Sequence, residues 1–378
     1  MKKQQKETSA LNVLLFFLTP FIFLVIPHKA HAWSGRGHHV ICSAAPHLIK
    51  NKELKEFLLQ RPHTLGHLCN IPDIYWKSLG ATANELGSPS HYIDPEVIGI
   101  KIQDIPLDFK KLEQEYSGKK NQFKPEKNIY SLAREMGSLW WRAQQFFDLT
   151  LNLKPAFAKS DLPKNFKEEQ DEKLPFNQTT FKMIEYFGLI GHFIGDAAQP
   201  YHSTADFDGY ESGHGGIHAY YEEMLVAQFS SEIEGDIVKN AKSLSKKQKA
   251  FLKGNSFIEQ IKNLSTLSHS EIEIIKNKDP ILKKSEVKKE KGMEIKTAAQ
   301  RKPANEGFKI FKNIIITDMS RAALLIAQTW ESSYEALGSP KLSAYKSYRY
   351  PFTPDFVEVN YVTNEASNKE IPNKDEKK

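Results

Sequence analysis

Apolar side chains along this chain recur mostly every three to four positions, the spacing that gives a helix one buried face. Leu54 to Gln60 carries leucines at that spacing. Ile129 to Leu151 is strongly amphipathic and includes Trp140, Trp141, Phe146 and Phe147. Phe181 to Ala198 is apolar almost throughout and reads as a buried helix. Phe308 to Leu337 reads as one long amphipathic helix or a helix pair. Few runs show the period of two that a half-buried strand requires. The pattern predicts an all-α fold.

Two stretches depart from it. Lys154 to Asn177 is rich in Lys, Pro and Glu and reads as a surface excursion. Lys239 to Ala304 alternates polar helical patches with lysine runs such as Lys283-Lys284 and Lys288-Lys289. It reads as a solvated insertion; the alternative is a basic surface for nucleic acid or anionic lipid. From about Asn364 the chain is polar and charged, the composition of a disordered tail. There is no internal repeat. The expectation is one mostly helical domain over residues 33–345, with insertions at about 154–177 and 239–304, and a C-terminal extension over 346–378.

Residues 1–32 read as a secretory leader. Lys2, Lys3 and Lys6 precede the apolar stretch Leu11 to Ile26, which Pro20 interrupts. Ala30-His31-Ala32 then supplies the small-x-small pattern of a cleavage site. The rival reading, a membrane anchor, needs a longer uninterrupted apolar run. Cleavage after Ala32 leaves Trp33 as the new N-terminus of a secreted protein, periplasmic or extracellular.

The chain has 378 residues, 40% of them hydrophobic, enough for a packed core. Lys2, Lys3, Lys6 and Lys29 against Glu7 carry +3 of the formal +6, so the remainder is only mildly basic. That charge is compatible with an anionic substrate without arguing for one. Cys42 and Cys69 are the only cysteines; they either pair in an oxidising compartment or serve as small buried hydrophobes. A Cys-x-x-Cys metal site is absent, so a metal would rest on His and carboxylates.

The histidines are clustered. His192 and Asp196 lie four apart on the apolar helix and share one face, and His202 follows on the exit loop. A buried carboxylate beside a buried imidazole is costly without a partner, and a metal cation removes the cost for both. His218 and Glu222 repeat the spacing, with His214 one turn earlier. The glycine-rich loop Gly209 to Gly216 joins the two groups; its neighbours Asp206 and Asp208 are not read as ligands. A third group is Ser90-His91-Tyr92-Ile93-Asp94-Pro95, and a fourth is Trp33 to His38. Asp73 stands alone in an apolar, aromatic setting. Imidazoles mixed with hard oxygens suit Zn²⁺, with Mn²⁺ or Fe as weaker candidates.

His192-x3-Asp196-x5-His202 followed by His218-x3-Glu222, with Trp33 directly after the leader, resembles the superfamily of S1/P1-type nucleases and zinc-dependent bacterial phospholipases C. The resemblance runs from Trp33 to about Gly338, with gaps at the two lysine-rich stretches. It implies a mostly helical enzyme that begins at an exposed tryptophan and holds three Zn²⁺. By this resemblance, Asp73, His91, His192 and Asp196 hold the first zinc. His202, His218 and Glu222 hold the second. The Trp33 amino nitrogen and carbonyl oxygen, His38, and Asp196 as a bridge hold the third. A free α-amino group titrates near 8, so it can ligate close to neutral pH once processing exposes it.

The implied reaction is in-line hydrolysis of a phosphodiester by water acidified at the metals, with Asp73 orienting or deprotonating that water. The implied substrate of the nuclease branch is single-stranded nucleic acid or 3′-nucleotides. Trp33-x3-Gly37-His38 resembles that branch, Tyr92 matches its base-stacking ring, and Asp94 matches a substrate-side acid. Glu222, the short loop from His202 to His218, and the wording of Ser90 to Pro95 resemble the phospholipase branch, whose substrate is a phosphatidylcholine-like headgroup. The nuclease pattern expects a cation one turn after Asp73, where Trp76 stands; Lys77 points about 100° away on a regular helix. A third reading is a non-catalytic zinc-binding protein, against which the full ligand set argues. No obligate protein partner is inferred.

Overall fold

The computed structural model describes residues 33–347 and 354–361. The expected leader and the tail from Asn364 lie outside the described residues. The fold is mostly helical, as the periodicity predicts. Its longer helices are α1 (Ser34–Ala44), α2 (Lys52–Leu59), α3 (Pro62–Asn70), α4 (Leu139–Leu151), α5 (Pro175–Ala197), α6 (Ala227–Ser243), α7 (Phe257–His269) and α8 (Ala304–Ala336). The apolar α5 is central: α1, α3, α4, α7 and α8 all pack on it. α6 lies against both α1 and α8.

Local chemistry explains where these helices begin and bend. The Asn51 side chain caps α2 by accepting from the Leu54 N–H at 3.0 Å. The amphipathic stretch from Ile129 is not continuous. Gly137 adopts φ 88° and lies so close to Tyr92 that a Cβ there would overlap its carbonyl oxygen. The chain therefore forms a short helix, Leu132–Glu135, before α4 begins. Phe308 to Leu337 belongs to one helix, α8, rather than a pair.

A disulfide joins Cys42 of α1 to Cys69 of α3, with the Cα atoms 6.6 Å apart. Closing a loop of this length contributes about 3.6 kcal/mol in the chain-entropy picture. Gly191 of α5 lies directly over the bond; a Cβ there would meet the Cys42 sulfur at 2.6 Å. The bond thus ties α1 to α3 beside the site, with α5 packed over it.

Three stretches are more ordered than their composition suggests. The excursion at 154–177 forms helices Lys154–Lys159 and Phe166–Gln170, and Asn177 donates to the carbonyls of Glu168 and Asp171 at 2.8 and 2.9 Å. Most of Lys239 to Ala304 is not a solvated insertion. α7 buries Phe257, Ile258, Ile261 and Leu264, and Phe257 stacks on Phe147 of α4 at 4.8 Å. A further helix, Ile272–Lys278, follows, and then two antiparallel ribbons, β1 (Ile281–Lys283) with β4 (Gln300–Arg301), and β2 (Glu286–Glu290) with β3 (Met293–Thr297). Beyond residue 345, the segment 354–361 crosses the body as an extended strap. Arg142 donates to its Val357 and Glu358 carbonyls at 2.6 and 3.3 Å, and Trp76 donates to the Pro354 carbonyl at 3.0 Å. No helix among the described residues is long and apolar enough to cross a membrane.

Candidate metal centre

Nine residues that the sequence singles out converge where α1, α3 and α5 meet: Trp33, His38, Asp73, His91, His192, Asp196, His202, His218 and Glu222, all buried. Three groups of donor atoms lie within chelating distance: His38, His192 and Asp196; Asp73, His91 and His192; and His202, His218 and Glu222.

The geometry around α5 is specific. Asp73 Oδ1, His91 Nδ1, His192 Nε2 and Asp196 Oδ2 form a small polyhedron. His91 lies 3.0 Å from both His192 and Asp196, and 3.5 Å from Asp73. His192 lies 3.3 Å from Asp196 and 4.0 Å from Asp73. Four ligands at about 2.0–2.1 Å around tetrahedral zinc are about 3.3 Å apart, so these edges fit one ion. The other Asp196 oxygen, Oδ1, turns away to His38 Nε2 at 3.3 Å. Gly195 makes room for that histidine, since a Cβ there would meet His38 Nδ1 at 2.8 Å. The His38 ring stacks on His192 with centroids 4.1 Å apart.

Outer hydrogen bonds set the tautomers. His192 Nδ1–H donates to the Cys69 carbonyl at 2.7 Å, which leaves the Nε2 lone pair facing the carboxylates. His202 Nδ1–H donates to the His91 carbonyl at 2.5 Å, while the Ile93 N–H donates to the His202 carbonyl at 2.9 Å. This reciprocal pair locks the two ligand loops together. His202 Nε2, His218 Nδ1, Asp196 Oδ1 and Glu222 Oε1 are buried with no hydrogen-bond partner among the described residues. Orphaned polar atoms on residues of one buried cluster fit an ion site.

Protonation tells the same story. Burial lowers His91 and His218 to about 4, and burial also lowers His38 and His202. For His192 burial is outweighed by Asp196 and Asp73, which raise it. Neutral imidazoles need lose no proton to bind a metal. Burial pushes Glu222 up to about 8, against the opposing pull of His202 and Gln199. Asp196 stays well below the usual range because, against burial, His192, His38 and His91 stabilise its charge.

Trp33 is fully buried. Its backbone nitrogen lies 3.0 Å from Glu222 Oε2, and its indole N–H donates to the Gly195 carbonyl at 2.8 Å. Trp33 and Ser34 both hold positive φ, 47° and 52°. The strained turn thus falls where the sequence predicts processing.

His214 does not join its neighbours. The helix begins only at Ile217, and His214 instead lies 2.9 Å from Asp279. Tyr92 and Asp94 sit beside the convergence rather than in it. The half-buried Tyr92 packs on Gly137, and its hydroxyl donates to the Arg134 carbonyl at 2.8 Å. Burial, with Glu96 nearby, raises Asp94 well above the carboxylate range.

One contributor was misjudged in the sequence and one was missed. Lys77, adjacent to the expected cation position and expected to point away, reaches Asp73 Oδ1 at 2.6 Å. The two are four residues apart, a spacing at which side chains meet on a helix. Gln199, fully buried, donates to Glu222 Oε2 at 2.7 Å; its only signal was its position between Asp196 and His202. No protein-family profile matches the sequence, and no curated protein matches it.

Proposed function

We propose that this cluster is a three-zinc centre and that the chain is a secreted zinc-dependent phosphodiester hydrolase of the S1/P1 nuclease and zinc phospholipase C type. The observation that carries the reading is the divided carboxylate of Asp196. Its Oδ2 lies 3.0 and 3.3 Å from His91 and His192, while its Oδ1 lies 3.3 Å from His38. One carboxylate shared between two imidazole groups is the geometry of a bridging ligand. The first group would be Asp73, His91, His192 and Asp196, the second His202, His218 and Glu222, and the third Trp33, His38 and Asp196.

When bound, zinc supplies Lewis-acid polarisation of a phosphoryl oxygen and acidification of water. The protein's own groups do the rest. Lys77, whose side chain is 15% exposed, presents an ammonium beside Asp73 that opposes charge building on the phosphoryl group. Asp73 accepts from Lys77 through Oδ1, and its Oδ2 orients the attacking water and takes its proton. The carbonyls of Cys69 and His91 hold the His192 and His202 rings in register.

Single-stranded nucleic acid or a 3′-nucleotide is the first substrate reading, and Lys77 supports it by supplying the cation which that reaction requires. A phosphatidylcholine-like lipid is the second. Tyr92 supports it, because its hydroxyl is bonded to Arg134 and its ring packed on Gly137 instead of standing free to stack a base. The test is activity of the protein beginning at Trp33 on single-stranded DNA and on phosphatidylcholine, with and without a zinc chelator. Chelator-sensitive hydrolysis of either is expected; activity on neither, in zinc-loaded protein, overturns the reading.

A further inference from the structure

The β2–β3 ribbon stands off the body. Every residue from Val287 to Ala298 is exposed, yet it carries Val287, Met293 and Ile295. Large aliphatic side chains left 44 to 65% exposed are unusual in a ribbon with no core of its own. The register sets their faces. Lys288 pairs with Ile295 and Glu290 with Met293 on one face; Val287 pairs with Lys296 on the other. The face bearing Lys296 turns towards the body, where Lys296 lies 5.0 Å from the Tyr210 ring. The other face presents Met293 and Ile295 outward.

Charge surrounds these aliphatics. Residues 283–297 hold six lysines and three glutamates. Glu286 is matched by Lys283 and Lys288, and Glu294 by Lys296. Lys284, Lys289 and Lys291 have no ion-pair partner among the described residues. Lys291 occupies the first tip position of the hairpin at φ 50°, followed by Gly292 at φ 81°. Asn, Asp or Gly is preferred at that first position. A lysine there puts a cation at the extremity despite the backbone cost.

We infer that this ribbon is a docking element for an anionic lipid surface. Lysines meet the headgroups while Met293 and Ile295 enter the acyl boundary. Charge alone would serve a nucleic acid equally well. Aliphatic side chains do not, since single strands are gripped by aromatic stacking, and the ribbon carries no aromatic residue. The ribbon is also rigidly joined to the metal centre. Arg301 clamps Asp279 at 2.8 Å and the Gly215 carbonyl at 3.1 Å, and the Ala299 N–H donates to Gly215 at 2.9 Å. His218 follows three residues after Gly215. Docking would therefore hold the catalytic centre near the bilayer. The inference rests on the ribbon alone, whatever phosphodiester is cleaved.

The test is co-sedimentation of the protein beginning at Trp33, free of the apolar leader, with phosphatidylcholine vesicles containing or lacking phosphatidylserine. Binding is expected only with phosphatidylserine, weakened but not abolished by high salt. The paired variant Met293→Ser, Ile295→Ser should bind at least about tenfold more weakly, with zinc content and helical circular dichroism unchanged. Lys288→Glu with Lys291→Glu should do the same. Absence of vesicle binding, full binding by the serine variant, or salt-sensitive binding to single-stranded DNA with none to vesicles would each overturn the inference. None of these readouts depends on hydrolysis, so they stand apart from failure of the metal reading.

Discussion

Lys77 Nζ lies 2.6 Å from Asp73 Oδ1, an ion pair at the edge of a buried cluster of imidazoles and carboxylates. The two residues stand four apart, the spacing at which side chains meet on a helix, and Asp73 lies within a π turn at Ile71–Tyr75. π turns concentrate at functional sites. Here a cation stands beside a carboxylate that also faces His91 at 3.5 Å.

Lys77→Ala should lower kcat by about 10²–10³, the scale of losing one group aimed at developing charge. Zinc content should stay the same, because Lys77 is not a ligand. Lys77→Arg should retain part of the rate. Steady-state kinetics alongside elemental analysis checks this; loss of zinc in the alanine variant would make Lys77 structural.

Asp196→Asn keeps the size of the side chain and removes its charge. If Asp196 serves two ions through its two oxygens, the variant should lose more than one zinc per chain. Elemental analysis of the purified variant decides; unchanged zinc content would show that Asp196 bridges nothing.

Trp33 bears on processing. Inside a longer chain its nitrogen is an amide with no basic lone pair. Freed, it becomes an amine with a pKa near 8 and a donor 3.0 Å from Glu222. One extra residue before Trp33 should therefore reduce both zinc content and activity. Full activity in such a variant would remove Trp33 from the ligand set.

The ligands make stability depend on pH in opposite directions. His91 and His218 fall to about 4 in the folded chain, below the ordinary 6.5, so the unfolded chain binds more protons between those values. Their contribution is present above 6.5 and is lost as pH falls towards 4. Glu222 rises to about 8, so the folded chain binds more protons between 4.5 and that value. Its contribution is lost as pH rises through that window. Chelated protein should consequently show its highest Tm near ~6.5 and a decline towards 8. Zinc favours the ionised Glu222 and should abolish the decline. Thermal melts across pH with and without chelator test this; a chelated protein whose Tm rises from 6.5 to 8 contradicts it.

Gly195 opposes local propensity to global packing. Gly195→Ala should favour the helix by about 1 kcal/mol. Its new methyl would instead meet His38 Nδ1 at 2.8 Å. We expect the overlap to dominate, with lower zinc occupancy and a lower Tm. A variant with a higher Tm and full zinc would show that the His38 ring gives way freely.

The helices and the histidine groups were legible because each follows from a period: 3.6 for α5 and α8, and four-residue spacing for His192 with Asp196 and His218 with Glu222. Lys77 was misjudged because its direction was reckoned from Trp76, whereas the residue it meets is Asp73, four positions back. The strap at 354–361 was invisible for another reason. Its carbonyls bond Arg142 and Trp76, and carbonyls have no sequence; Phe356 and Tyr361 pack on Trp76 and Phe109 without a period to mark them. The β2–β3 ribbon escaped because, exposed on both faces, it needs no alternation. His214 failed because the helix that would have aligned it starts after Gly216, at Ile217.

The central claim is a multinuclear zinc centre, and its most direct test is the zinc content of the purified protein beginning at Trp33. Three zinc ions per chain, removed by chelation together with phosphodiesterase activity, is the predicted result. One ion or none in otherwise folded protein would contradict the account.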